Sequence, residues 1–156
     1  MPLPPHAKIN TMKLSDEIKD KFWTLTVYFN SLKDLGKCTT LVDDDVKDFI
    51  KRTAYRLGDA RDARVIARAD ELTSRVSTTQ LNETLDKLEK MSYSKENIEN
   101  RRYPSNILLA TNMISVGIDV ARLNVMLLVG QPKLTSEYIQ ASSRVGRSFP
   151  ECIYYV

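Results

Sequence analysis

Three residues near the end of this 156-residue chain, Gln140, Arg144 and Arg147, have the types and spacing to handle phosphate. On a helix, positions 140 and 144 share a face and 144 and 147 are also neighbours, so an amide and two guanidiniums would converge. That patch is poorly arranged unless an anion lies within it, and a triphosphate fits. Arginine presents a planar fork of donors to phosphate oxygens, and its charge does not titrate away. In phosphoryl transfer, an arginine supplied by a second domain stabilises charge developing on the γ-phosphate, typically by on the order of 10³–10⁵ in rate. A second block, ATNMISVGIDV, runs from Ala110 to Val120. Thr111 ends an apolar run there, so its hydroxyl and the following amides face outward at a strand end and suit a nucleic-acid phosphate. Gly117 permits a turn that other residues would strain. Asp119 offers a carboxylate to a ribose hydroxyl.

Together the blocks Ala110–Asp119 and Gln140–Arg147 resemble motifs V and VI of superfamily 2 helicases and translocases. The resemblance implies an α/β fold: a RecA-like parallel sheet sandwiched by helices, forming the C-terminal of two lobes in an ATP-driven nucleic-acid motor. It implies that Arg144 and Arg147 are catalytic arginine fingers. It assigns Gln140, Gly117, Asp119, Arg144 and Arg147 to nucleotide, and Thr111 to the nucleic-acid backbone. Ser143 stands where motif VI usually carries glycine, and Asn112 where many members carry aspartate. Val27 to Ser31 resembles motif IV, which adds Asn30 and Ser31 as backbone contacts. Glu71 to Arg75 falls where this lobe often has a phosphate-contacting loop, which adds Ser74 and Arg75. The detail of SVGIDV followed by YIQASSRVGRS is similar to large bacterial helicase-like proteins, including those of anti-phage defence systems.

A complete motor also needs a Gly-rich loop ending in Lys-Ser or Lys-Thr, and acidic residues to hold Mg²⁺. The one Gly-Lys pair here, Gly36-Lys37, is followed by Cys38 and lacks a spaced upstream glycine. ATP and Mg²⁺ are therefore expected in a full-length parent, held mainly by the N-terminal RecA-like lobe of the same polypeptide. The chain by itself is expected to be inactive. A stand-alone, non-catalytic nucleic-acid-binding or regulatory module would display the same features. A dinucleotide-binding enzyme is excluded, because the turn after the first strand, Phe29 to Asp34, has no glycine.

Composition adds bounds. An apolar share of 42% and a charged share of 28% suit a soluble globular domain. The net charge of +3 permits a nucleic-acid partner without demanding one; DNA is favoured over RNA as the track. Apolar runs are too short to span a bilayer, and no signal peptide opens the chain, so no membrane partner and a cytoplasmic location are expected. Cys38, Cys152 and the lone His6 are too scattered for zinc, and no metal site is expected within the chain.

The elements that must position these residues follow from pattern. Residues 1–13 read as a tail or linker, and 14–156 as the lobe. The lobe is expected to be truncated at its C-terminus, because the chain stops inside an apparent strand. Ser15 fits an N-cap for a helix to about Phe22, and Thr24 to Phe29 has strand composition. Asp43 to Asp45 suit a helix start, with Val46, Phe49, Ile50, Ala54 and Leu57 stacked on one face and Gly58 ending it. Arg64 to Arg68 reads as a short strand. Ser77 and Gln80 form a capping box before Leu81, Leu85 and Leu88, and residues 92–104 read as a loop. The continuous apolar runs Ile107–Ala110 and Val125–Val129 call for burial on both faces, as in a parallel sheet. A helix from about Ser136 to Ser143 follows, and Glu151 to Val156 begins another strand. Ligand sites of such sheets lie at the carboxyl ends of the strands.

Overall fold

Ser15 starts the first element: its hydroxyl accepts from the Ile18 amide, and Asp16 and Glu17 occupy the first turn of α1 (Asp16–Lys21). The computed structural model describes residues 14–56, 58, 64–112 and 120–147, and the backbone of 152–155. Strand β1 (Leu25–Phe29) leads into a helical rod made of α2 (Leu32–Leu41), a π-helical turn (Val42–Val46) and α3 (Lys47–Arg56). Then come β2 (Asp70–Leu72), α4 (Thr78–Lys90), α5 (Lys95–Glu99) and β3 (Ile107–Ala110). Strand β4 (Val125–Val129), α6 (Thr135–Ser142) and β5 (Cys152–Tyr155) complete the described order.

The five strands form one parallel sheet in the order β2-β3-β1-β4-β5. Leu25 of β1 stands level with Ile107 on one side and Val125 on the other. Side chains alternate across the sheet, so it carries two cores. On one face Tyr28, Leu72, Leu108, Met126 and Leu128 pack with Leu81, Leu85 and Leu88 of α4 and with Ala141 of α6. On the other, Val27, Phe29, Ile107 and Leu109 pack with Leu35, Cys38, Val42, Val46 and Ile50 of the rod. Full burial of each large apolar side chain stabilises by about 1.5–3 kcal/mol. The parallel sheet expected from the sequence is thus present, with helices on both faces.

Several local expectations are corrected. The rod begins at Leu32, where the Ser31 hydroxyl accepts from the Asp34 amide, so Asp43 to Asp45 lie mid-rod and not at a helix start. These aspartates point to solvent, and Asp43 pairs with Lys47 at 2.6 Å. Phe49, expected in the core, is 55% exposed, because the buried stripe runs through Val42, Val46 and Ile50. Residues 64–69 are not a strand; only Asp70–Leu72 reaches the β3 ladder. The polar stretch 92–104 contains α5, capped by the Ser94 hydroxyl.

The amino edge of the sheet is built from buried polar groups. Asp20 of α1 receives Arg122 Nε at 3.0 and 3.1 Å, Arg122 Nη2 at 2.6 Å and the Tyr93 amide at 2.5 Å. Trp23 stacks on Tyr93 with ring centroids 4.2 Å apart, and the Arg64 guanidinium lies 4.1 Å from the Trp23 ring while donating to the Trp23 carbonyl. Burial pushes the Arg64 guanidinium down to about 9. Among the described residues, no helix is long and apolar enough to cross a membrane.

Candidate functional site

Four strand ends converge at the carboxyl edge, and the loops leaving them wall a cleft of about 360 Å³. Asn30 and Ser31 follow β1, Ser74 follows β2, Thr111 and Asn112 follow β3, and Lys133 lies between β4 and α6. Tyr28, Leu32 and Glu137 complete the wall. The sequence-expected residues Asn30, Ser31, Ser74 and Thr111 therefore share one opening, although they come from three separate segments.

Their side chains are engaged differently. Asn30 donates through Nδ2 to the Gln131 carbonyl at 3.0 Å, bridging the tops of β1 and β4. Gly130 makes that bridge possible: it adopts φ 75°, and an added Cβ would stand 3.2 Å from Asn30 Nδ2. Ser31 caps α2 and donates to Asp34 Oδ2 at 2.7 Å. Thr111 is buried at the cleft wall, its amide donating to the Leu72 carbonyl at 3.4 Å, while Ser74 is exposed.

Arg75 does not line this cleft. Its Nε and Nη2 donate to the two Glu71 oxygens at 2.5 and 2.6 Å, and the Thr73 hydroxyl also donates to Glu71. Burial acts to raise the Glu71 carboxyl, but the Arg75 and Thr73 hydrogen bonds and the charges of Arg75 and Arg68 outweigh it and hold the group below the usual carboxylate range. The Tyr28 hydroxyl is pushed up by burial, with a further push from the Glu137 charge.

Gln140, Arg144 and Arg147 occupy a second surface. Helix α6 ends at Ser142, so only Gln140 is helical, and the shared helical face expected for the three residues is replaced by a turn. The amides of Arg144 and Val145 donate to the carbonyls of Ala141 and Ser142, and buried Val145 anchors the turn in the core. Gly146, at φ 72°, donates its amide to the Leu123 carbonyl at 2.9 Å, which ties the turn back to the chain entering β4. Arg144 is half-buried and Arg147 exposed, with Arg147 Nε donating to the Ser143 carbonyl at 3.2 Å. Ser143 sits at φ −66°, ψ −4°, a conformation open to any residue, so serine in place of glycine costs no backbone strain there. Gly117 and Asp119 lie outside the described residues.

A family model of the helicase conserved C-terminal domain matches residues 49–149, well over half of the chain. The chain belongs to this helicase family. It is similar to the DISARM protein DrmA of Bacillus paralicheniformis, at 44% identity over 137 residues, which is 88% of this chain and 11% of that protein. The helicase lobe thus spans about a tenth of the length of the curated relative it matches. Among solved structures, it resembles Mycobacterium smegmatis helicase Lhr bound to ssDNA and AMP-PNP, with TM-score 0.51, 18% identity, and coverage of 85% of this chain and 15% of that one. It also resembles domain 2 of the DEAD-box helicase Mss116p bound to an RNA duplex, with TM-score 0.52, 15% identity, and coverage of 97% and 48%. T. fusca Cas3 with ADP gives TM-score 0.52 at 18% identity over 85% of this chain and 14% of that one. These likenesses show the fold, a RecA-like C-terminal lobe of the superfamily 2 type.

Sequence reasoning passed over Lys133 and Glu137, which line the cleft. Their position after the apolar run 125–129 was the available signal, since that run's carboxyl end faces the same edge as Thr111.

Proposed function

We propose that the helicase lobe serves as the C-terminal half of an ATP-dependent nucleic-acid helicase or translocase. The single observation that carries this reading is the shared cleft at the carboxyl edge, where Asn30, Ser31, Ser74 and Thr111 meet. Hydroxyls and amides at such an edge suit a sugar-phosphate backbone, which they position without reading bases. Thr111 and Ser74 contact the strand directly. Asn30 and Ser31 shape the loops, given their bonds to Gln131 and Asp34.

The turn after α6 supplies Arg144 and Arg147 as arginine fingers, with Gln140 beside them; Gly117 and Asp119 complete the nucleotide set. This donor set fits a triphosphate, because two guanidiniums and an amide match phosphate oxygens in charge and geometry. ATP with Mg²⁺, bound mainly by the N-terminal lobe of the same polypeptide, supplies the phosphoryl transfer that drives the cycle. Closure of the two lobes brings Arg144 and Arg147 to the γ-phosphate side of the interlobe cleft, and opening withdraws them. The strand is DNA in preference to RNA. The relatives Lhr and Mss116p, bound to ssDNA and to an RNA duplex respectively, support a nucleic-acid track.

The test is Arg147→Ala in the full-length parent. Nucleic-acid-stimulated ATPase is expected to fall by on the order of 10³ or more. A rate near wild type sinks the arginine assignment.

A further inference from the structure

The carboxyl-edge cleft carries two charges that no motif assigns: Lys133, on the connection between β4 and α6, and Glu137, in the first turn of α6. Among the described residues lining the cleft, they are the only cation and the only anion. We propose that Lys133 is a phosphate contact of the bound strand, and that Glu137 beside it weakens the grip so that the strand is released between steps. This rests on the reading of the cleft as the nucleic-acid site.

Three observations carry it. The first is charge. Thr111, Ser74 and Ser31 present neutral hydroxyls, which orient a phosphate without supplying a counter-charge. Arg75, the other cation expected near the strand, is spent on Glu71 through two hydrogen bonds of 2.5 and 2.6 Å. Lys133 is the charge that remains on the cleft wall.

The second is placement. Lys133 is exposed, but its backbone is set by Gly130 at φ 75°, by the Asn30 bond to the Gln131 carbonyl and by buried Pro132. The lysine therefore leaves from a fixed loop beside β1, while Thr111 and Ser74 belong to the strands on the other side of β1. A strand lying between them has a neutral donor wall and a cationic wall.

The third is Glu137. Its charge raises the Tyr28 hydroxyl, so its field reaches the cleft wall. A DNA backbone offers no hydrogen-bond donor to a carboxylate, so Glu137 repels the phosphates that Lys133 attracts. A translocating lobe needs contacts that form and break on every step, and paired opposite charges at one site provide that balance.

The experiment measures fluorescence anisotropy of a labelled oligothymidine single strand with the full-length parent across a series of salt concentrations. Lys133→Ala is expected to bind more weakly at every sequence, with the slope of log affinity against log salt shallower by about 0.7. Lys133→Arg keeps the wild-type slope, a result that distinguishes charge from loop structure. Glu137→Gln binds more tightly than wild type. Thr111→Val binds more weakly with its slope unchanged, because a hydroxyl releases no counterion. If Lys133→Ala keeps the wild-type slope while Thr111→Val loses affinity, the inference about Lys133 falls and the cleft reading stands. If Thr111→Val also binds as wild type, both fall. Binding by Glu137→Gln no tighter than wild type overturns the role given to Glu137.

Discussion

Replacing Asp20 with alanine strands the Arg122 guanidinium inside the lobe. The carboxylate takes three contacts from Arg122, at 2.6, 3.0 and 3.1 Å, and one from the Tyr93 amide at 2.5 Å. Burial decides which energy scale applies. Exposed ion pairs contribute about 0–1 kcal/mol, but the Arg122 and Asp20 side chains are only 8% and 12% exposed. Removing one partner of a buried pair costs about 3–5 kcal/mol, because the other charge is left desolvated and uncompensated. Arg122 keeps one long bond, to the Leu88 carbonyl at 3.4 Å, which does little to offset that loss. With a urea slope of about 1–3 kcal/mol/M, the unfolding midpoint is expected to fall by roughly 2 M. Trp23 fluorescence is the assay: it is the sole tryptophan, it is buried, and it stacks on the residue whose amide Asp20 holds. Asp20→Leu combined with Arg122→Met is expected to recover most of the stability, since apolar replacement of both partners removes the stranded charge. A loss below about 1 kcal/mol in the single variant, or a double variant no more stable than the single, refutes the reasoning.

Three further outcomes are expected. Gly130→Ala forces a Cβ into the φ 75° turn and within 3.2 Å of Asn30 Nδ2; about 1–2 kcal/mol is lost, read as a lower thermal midpoint. Ser77→Ala removes both halves of the capping box that opens α4 and costs about 1 kcal/mol in urea unfolding. Glu71→Gln tests the ion pair by pH. Because the folded Glu71 value lies below its ordinary 4.5, the stabilisation is present above that value and is lost as pH falls through the folded one. The variant is therefore less stable than wild type at neutral pH, and the gap in thermal midpoint closes in acid; a gap independent of pH would count against the ion pair.

The strands were legible because burial on both faces leaves uninterrupted apolar runs, and Ile107–Ala110 and Val125–Val129 match the expected bounds. The Ser15 cap and the Ser77–Gln80 box were legible because capping is local chemistry. What escaped depends on distant contacts. Arg64 to Arg68 has strand composition, yet β3 offers its ladder only to Asp70–Leu72. The helical face drawn through Gln140, Arg144 and Arg147 assumed that α6 continues, whereas Gly146 turns the chain to meet the Leu123 carbonyl, a partner 23 positions earlier in sequence. The residues expected around the cleft came together because strand ends obey topology. The commitments of Asn30 to Gln131 and of Arg75 to Glu71 were invisible without coordinates.

The π-helical turn at Val42–Val46 has a consequence for how this lobe tolerates changes in length. Residues four apart on an ordinary α-helix drift by roughly 40° around the axis, since a turn holds 3.6 residues. Val42, Val46 and Ile50 are spaced four apart and all face the same core. The wider turn absorbs part of that drift and keeps the three in line. Deleting one of Asp43, Asp44 or Asp45 would restore regular winding, and α3 would rotate by roughly 100° against the sheet. Ile50 would swing away from the core, and the exposed Phe49 would be displaced with it. A one-residue deletion in this exposed acidic stretch would thus rearrange the interior, whereas replacing any of the three aspartates would leave the interior untouched.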